Sequence, residues 1–132
     1  MRIGLDTGFF ISLYQGNEET AVLWQKFVDR DEELLVCVLS GYEFFRVLMR
    51  RGEPMNELEE FWETIEAACE VIPVDGKTVR EAAKLENTYH LGGLDSLILA
   101  VLLGNGCREI LTTDSRWKPI SKKKRVKIKI LS

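Results

Sequence analysis

Four acidic residues stand where chemistry could be done: Asp6, Glu43, Asp95 and Asp114. Gathered together, carboxylates without histidine or thiolate are hard oxygen ligands that suit Mg²⁺ or Mn²⁺ rather than zinc or copper. Such a centre activates water for attack on a phosphodiester and neutralises charge on the phosphate oxygens, so no separate base is needed. The rest of the sequence narrows the choice. Its one histidine, His90, excludes a two-histidine acid–base mechanism and ends a helix-like segment, where capping takes precedence over catalysis. The three cysteines, Cys37, Cys69 and Cys107, are far apart and form no CxxC pair, which argues against a disulfide framework or zinc knuckle and for a reducing, cytoplasmic setting.

Each acid also has a plainer use. Asp6, Asp95 and Asp114 each precede a plausible helical turn, where Asp is a favoured N-cap, and Glu43 suits a solvated helix face. Asp95 strains that reading most, because Leu97-Ile98-Leu99-Ala100-Val101 follows and draws it inward. A helix N-terminus stabilises a carboxylate by only ~0.3–1 kcal/mol. Desolvating an unpaired charge costs several kcal/mol. Partial exposure, a neighbouring cation or a bound metal must close the gap.

The elements that position these acids follow from periodicity. Arg2–Leu5 reads as a strand ending at Asp6, then a short helix over Phe9–Tyr14. Asn17 caps a second helix with its apolar stripe at Ala21, Leu23, Trp24, Phe27 and Val28. Leu34–Val38 is a buried strand, and Ser40 caps a third helix that carries Glu43 and stops at Gly52. Pro54 starts a fourth helix, whose Phe61 and Trp62 are candidates for a contact between copies. Val71–Val74 is a strand with Pro73 marking an edge or an end. Asp75 caps a fifth helix, Leu94–Leu103 is an all-apolar buried sixth, Glu109–Thr113 is a strand, and Val126, Ile128 and Ile130 alternate with lysines in a half-exposed last strand. Strands alternating with helices give an α/β fold with a mainly parallel sheet, in which ligands bind beyond the carboxyl ends of the strands. All four acids fall on that side.

A chain of 132 residues fits one domain, 1–132, and 45% hydrophobic with 30% charged residues is ordinary for a globular protein. The longest apolar run, Leu97–Leu103, is seven residues, whereas a membrane span takes ~20. The net charge of −3 is unevenly spread: residues 118–132 carry +7 and the first 117 carry −10. Lys122, Lys123, Lys124 and Arg125 could contact phosphates locally, or could be a solvated loop and edge strand guarding against aggregation.

The chain resembles the PIN-domain ribonucleases, including the VapC-type toxins of prokaryotic toxin–antitoxin pairs. Leu5-Asp6-Thr7-Gly8-Phe9-Phe10-Ile11 is similar to the family's opening strand–Asp–Ser/Thr motif, and Glu43 matches its second acid. Asp95-Ser96-Leu97-Ile98-Leu99-Ala100 is similar to its Asp-Ala-hydrophobic helix start, with Ser96 for the common alanine. Leu111-Thr112-Thr113-Asp114 resembles its Thr-x-Asp strand end, with Trp117 where phenylalanine is frequent. No single motif is specific; the ordered set is. The resemblance implies a three-layer sandwich with a mainly parallel sheet of four to five strands flanked by helices. It implies a metal-dependent endoribonuclease in which Asp6, Asp95 and Asp114, with Glu43, hold one or two Mg²⁺ or Mn²⁺ ions. Thr7 or Thr112 would hydrogen-bond a carboxylate or a metal-bound water. The enzyme would be either the toxin of a toxin–antitoxin pair or an RNA-processing nuclease; an RNA substrate and a homodimer are the implied partners, with a cognate antitoxin in the first case.

Three alternatives differ in what they demand. A phosphoacceptor receiver domain needs a second acid beside the first, and Gly4-Leu5 supplies none. A haloacid-dehalogenase-like phosphatase needs an acid two residues after Asp6, where Gly8 stands. A PIN-fold interaction module without catalysis is compatible with the fold, but all four acids are present.

Overall fold

The computed structural model describes residues 1–132. In chain order its elements are β1 (Arg2–Leu5), α1 (Thr7–Tyr14), α2 (Glu18–Asp29), β2 (Glu33–Cys37), α3 (Val38–Arg50), α4 (Met55–Ala68), β3 (Glu70–Ile72), α5 (Gly76–Tyr89), α6 (Gly93–Gly104), β4 (Glu109–Thr112), a 3₁₀ turn (Ser115–Trp117), α7 (Ile120–Lys124) and β5 (Lys127–Ile130). The five strands form one sheet in the order β3-β2-β1-β4-β5, and every pairing is parallel. The parallel α/β architecture expected from the periodicity is therefore present, with helices on both faces.

Alternation along the strands divides the core. Leu34 and Val36 point to one face and pack with Phe9, Phe10, Phe44, Leu48, Leu58 and Trp62 of α1, α3 and α4. Leu35 and Cys37 point to the other and pack under α5, α6 and α7. The all-apolar α6 is sunk into this second layer, with Ile98–Leu102 all buried. Its close approach to β1 depends on Gly4, where a Cβ would stand 3.0 Å from Cys107 Sγ and 3.2 Å from Leu102.

Several local expectations are corrected. β2 stops at Cys37 and α3 begins at Val38, so Ser40 lies inside the helix and does not cap it. β3 ends at Ile72, before Pro73, and is an edge strand, as that proline suggests. Lys122–Lys124 belong to the short helix α7, not to a loop. Phe61 and Trp62 are not a free aromatic face. The Trp62 ring packs 5.3 Å from Phe10 and 4.9 Å from Phe44, and Phe61 stacks on Phe44 at 5.4 Å. Trp62 is thus part of the core, and Phe61 alone of the two stays partly exposed.

Candidate active site

β1 is the centre of the sheet, and the chain leaves it toward β2 on one side and returns at β4 on the other. In open parallel sheets the crevice at such a reversal, beyond the carboxyl strand ends, is where ligands bind. Asp6 follows β1 and Asp114 follows β4, so the two acids flank the reversal. Glu43 reaches it from α3 and Asp95 from the first turn of α6. Together with Thr7, Gly8, Ile11, Val47, Arg51 and Thr113 they line an open cleft of about 260 Å³.

Asp6 is the most constrained. It is 5% exposed. Its Oδ1 accepts from the Thr7 backbone N–H at 2.8 Å and its Oδ2 from the Thr112 hydroxyl at 2.6 Å. Thr112 Oγ1 in turn accepts from the Asp114 N–H at 3.0 Å, so one threonine ties the ends of β1 and β4 together. The Thr7 hydroxyl donates to Ser40 Oγ at 3.0 Å and fixes α1 against α3. Both hydroxyls are buried. Burial pushes the Asp6 carboxyl up to about 7; the two hydrogen bonds oppose this, and the nearby charges of Asp95 and Glu43 add to it.

Asp95 and Asp114 share one cation. Arg116 Nη2 lies 2.9 Å from Asp95 Oδ2 and 2.6 Å from Asp114 Oδ2. Its Nε donates to both Asp114 oxygens, at 3.0 and 3.1 Å, and its Nη1 to the Leu91 carbonyl at 3.2 Å. The two acids nevertheless shift in opposite directions. Burial, then the Glu43 charge, raises Asp95 against the pull of Arg116, while hydrogen bonding to Arg116 lowers Asp114. The tension between burial and charge at Asp95 is thus met by partial exposure and a guanidinium together. Asp95 caps nothing: Gly92 is the N-cap of α6, whose end is held instead by Glu86, which accepts from Gly92 N at 2.6 Å and Ser96 Oγ at 3.1 Å. Asp6 and Asp114 do cap, through Thr7 N and Arg116 N respectively.

A model of the PIN domain matches residues 3–123. The chain belongs to the PIN-domain family. Among solved structures, this PIN domain is similar to VapBC2 of Rickettsia felis bound to a promoter DNA fragment, at 11% identity over all of both chains with a TM-score of 0.78. It is also similar to VapC20 of Mycobacterium tuberculosis, a sarcin–ricin loop cleaving toxin, at 15% identity over 89% of this chain and 94% of that one, TM-score 0.73. A toxin–antitoxin complex from Klebsiella pneumoniae aligns at 16% identity over 89% and 92% of the chains, TM-score 0.68. At these identities the likeness speaks for the fold. No curated protein matches the chain in sequence.

The cleft of this PIN domain holds carboxylate oxygens with no imidazole or thiolate among its lining residues, which fits a hard divalent cation. No three acidic side chains yet converge into a ready-made ion site, and Asp95 and Asp114 are both turned to Arg116. Thiol chemistry is disfavoured: burial raises all three cysteines, Cys107 to about 11 and Cys69 to about 12. His90 is the left-handed C-cap of α5, with φ 55°. The basic residues expected to meet RNA are not in the cleft. Lys123 and Lys124 line grooves against α5, and Lys124 shares one of them with Leu103 and Gly104 at the far end of α6. Along a helix rising 1.5 Å per residue that end is about 13 Å from Asp95. Besides Arg46, 3.8 Å from Glu43 on the same helix, the cations at the cleft are Arg51, which follows α3, and Arg116. Sequence reading missed both, because an arginine near acids looks like ordinary solvated charge.

Proposed function

We propose that this PIN domain is an endoribonuclease that hydrolyses RNA phosphodiester bonds with Mg²⁺ or Mn²⁺, and that it is the toxin of a toxin–antitoxin pair. The observation that carries the reading is the meeting of Asp6, Glu43, Asp95 and Asp114, from four separate elements, in one cleft at the reversal point of the sheet. A divalent cation bound there supplies an activated water and neutralises charge on the phosphate. Asp6, Asp95 and Asp114, with Glu43, are the residues to hold one or two ions. Thr112 fixes the Asp6 carboxylate directly, and Thr7 does so through its backbone N–H while its hydroxyl locks α1 to α3.

The toxin assignment draws on the similar structures, one a toxin that cleaves the sarcin–ricin loop and another a toxin–antitoxin complex. It brings with it a cognate antitoxin protein as partner, a homodimer, and a single domain working in the cytoplasm. No helix is long and apolar enough to cross a membrane. Lys122, Lys123, Lys124 and Arg125 are proposed to hold the RNA backbone away from the cut. Incubation of the protein with labelled RNA tests the reading: fragments should form with Mg²⁺ or Mn²⁺ and none in EDTA. Cleavage that survives exhaustive chelation overturns the metal mechanism.

A further inference from the structure

We propose that Arg116 is a built-in counter-ion of the acidic cleft, holding Asp95 and Asp114 together in the metal-free protein and being displaced when a divalent cation enters. The inference rests on the metal-dependent reading above. One nitrogen, Nη2, lies within 2.9 Å of both carboxylates, which come from α6 and from the 3₁₀ turn. Two negative groups brought to one point repel unless a positive charge stands between them. The guanidinium supplies that charge, and it stays charged at any working pH, so it leaves by moving and not by titrating. A divalent cation brings twice the charge to the same oxygens. As the structure stands, these acids serve arginine, and no three of the acidic side chains form an ion site.

The anchoring of Arg116 suits such an exchange. Its backbone is held: the N–H donates to Asp114 Oδ1 at 3.0 Å, and the next residue, Trp117, is fully buried. Its side chain is 53% exposed. For the guanidinium to leave, the side-chain bonds to Asp95, Asp114 and the Leu91 carbonyl must break, while the backbone bond and the buried Trp117 keep the 3₁₀ turn in place. Metal and guanidinium compete for the same oxygens, so metal affinity is set partly by how firmly Arg116 holds them, and the coupling is reciprocal. A scaffold role for Arg116, in which it prearranges the acids for the ion, makes the opposite prediction.

Mn²⁺ titration, read from loss of the free-ion electron paramagnetic resonance signal, separates the two. Arg116→Gln should bind Mn²⁺ about tenfold more tightly than the parent, within the usual span of coupling between two ligands. It should also melt at a lower temperature in EDTA. Arg116→Lys keeps the charge but not the two-pronged fork and should fall between them. Equal or weaker Mn²⁺ binding by Arg116→Gln overturns the proposal. Should that variant not fold, Arg116→Lys decides, with binding no tighter than the parent's as the overturning result. Asp95→Asn serves as the control. Parent binding that is lost in Asp95→Asn while Arg116→Gln shows no gain sinks the counter-ion alone; no Mn²⁺ binding by the folded parent sinks the metal reading with it.

Discussion

The acidic cleft and the basic C-terminal segment are both dense in charge, yet they are built in opposite ways. In the cleft, each acid is set by the backbone: Asp6 by the end of β1, Asp114 by the turn after β4, Asp95 by the first turn of α6, Glu43 by α3. The oxygens of Asp6, Asp95 and Asp114 are satisfied at 2.6–3.1 Å by Thr112, Thr7 and Arg116, Glu43 has only Arg46 at 3.8 Å, and burial raises Asp6 and Asp95. In the segment, Lys122, Lys123, Lys124 and Arg125 are all exposed, on one short helix and its left-handed C-cap. A like-charged cluster held partly out of water raises the free energy of the metal-free fold, and a ligand that relieves it gains that energy on binding. A row of solvated lysines costs the fold almost nothing and acts mainly through a salt-screened field. Substitutions in the first region should therefore be felt in chemistry and stability, and those in the second only in binding at low salt.

The largest effect is expected at Asp95. Asp95→Asn should lower RNA cleavage more than about a hundredfold, since groups that merely orient a metal ligand already contribute 10–100-fold. Because Gly92 and not Asp95 caps α6, neither Asp95→Asn nor Asp95→Ala should lose helix-capping energy. Asp95→Asn should give up most of the melting-temperature gain that Mn²⁺ confers on the parent. A fully active Asp95→Asn protein would break the contrast at its strongest point.

The next test uses pH. The Asp6 carboxyl sits at about 7 in the folded protein, against ~3.9 in an unfolded chain. Between those values the folded state holds a proton that the unfolded state has released, so in EDTA stability should fall as pH rises from about 4 to 7. The slope contributed by one such group approaches ~1.4 kcal/mol per pH unit. Asp6→Asn should remove it and leave the variant more stable than the parent at pH 8. Mn²⁺ affinity should move the other way, tightening with pH up to about 7, because the ion must displace that proton. A stability profile identical in parent and Asp6→Asn would mean that Asp6 is not a strained carboxyl.

Steric closeness supplies a third test. At Gly8 a Cβ would collide with the Oγ1 of Thr113, and it would stand 3.0 Å from that residue's Cβ. Thr113 is short and β-branched, so the strand end must shift, and Gly8→Ala should destabilise by ~1–3 kcal/mol in denaturant melts. The shift would fall between Asp6 and Asp114, so cleavage should drop more than stability alone accounts for. Unchanged melting and activity would show that the cleft walls are more pliant than the contact implies.

Much of this was legible from the residues because the signals are local. Strand periods located all five strands, β1 with its bounds and the others to within one or two residues at an end, and the rule about carboxyl strand ends pointed to the side on which the four acids lie. Asn17 and Asp75 cap α2 and α5, as their positions suggest. What stayed hidden is long-range or geometric. Ser40 looks like a cap, yet its partner is the Thr7 hydroxyl, 33 residues away. Phe61 and Trp62 look like an interface, because sequence does not show that Phe10 and Phe44 reach them. Arg116 is only two residues beyond Asp114, but its bond to Asp95 spans 21 positions and exists only once α6 is docked.

The smallest effect concerns the basic segment itself. Neutralising one phosphate on a single strand contributes a slope of ~0.7 in log K against log salt. If all four side chains meet phosphates, changing Lys122, Lys123, Lys124 and Arg125 to Gln should reduce that slope by up to ~3 for single-stranded RNA bound to a cleavage-dead parent. Melting should hardly move, since exposed side chains of this kind contribute within about 0.5 kcal/mol each. The position of α7 sharpens the expectation. With Lys124 lining a groove at the far end of α6, about 13 Å from Asp95 along the helix, these residues are placed to hold the backbone flanking the cut. Short RNAs should therefore be cleaved equally well by parent and variant, while longer ones should show the loss at low salt and converge at high salt. A salt slope unchanged at every length would reduce the segment to a guard on the edge strand β5, and leave the acidic cleft to bind its substrate alone.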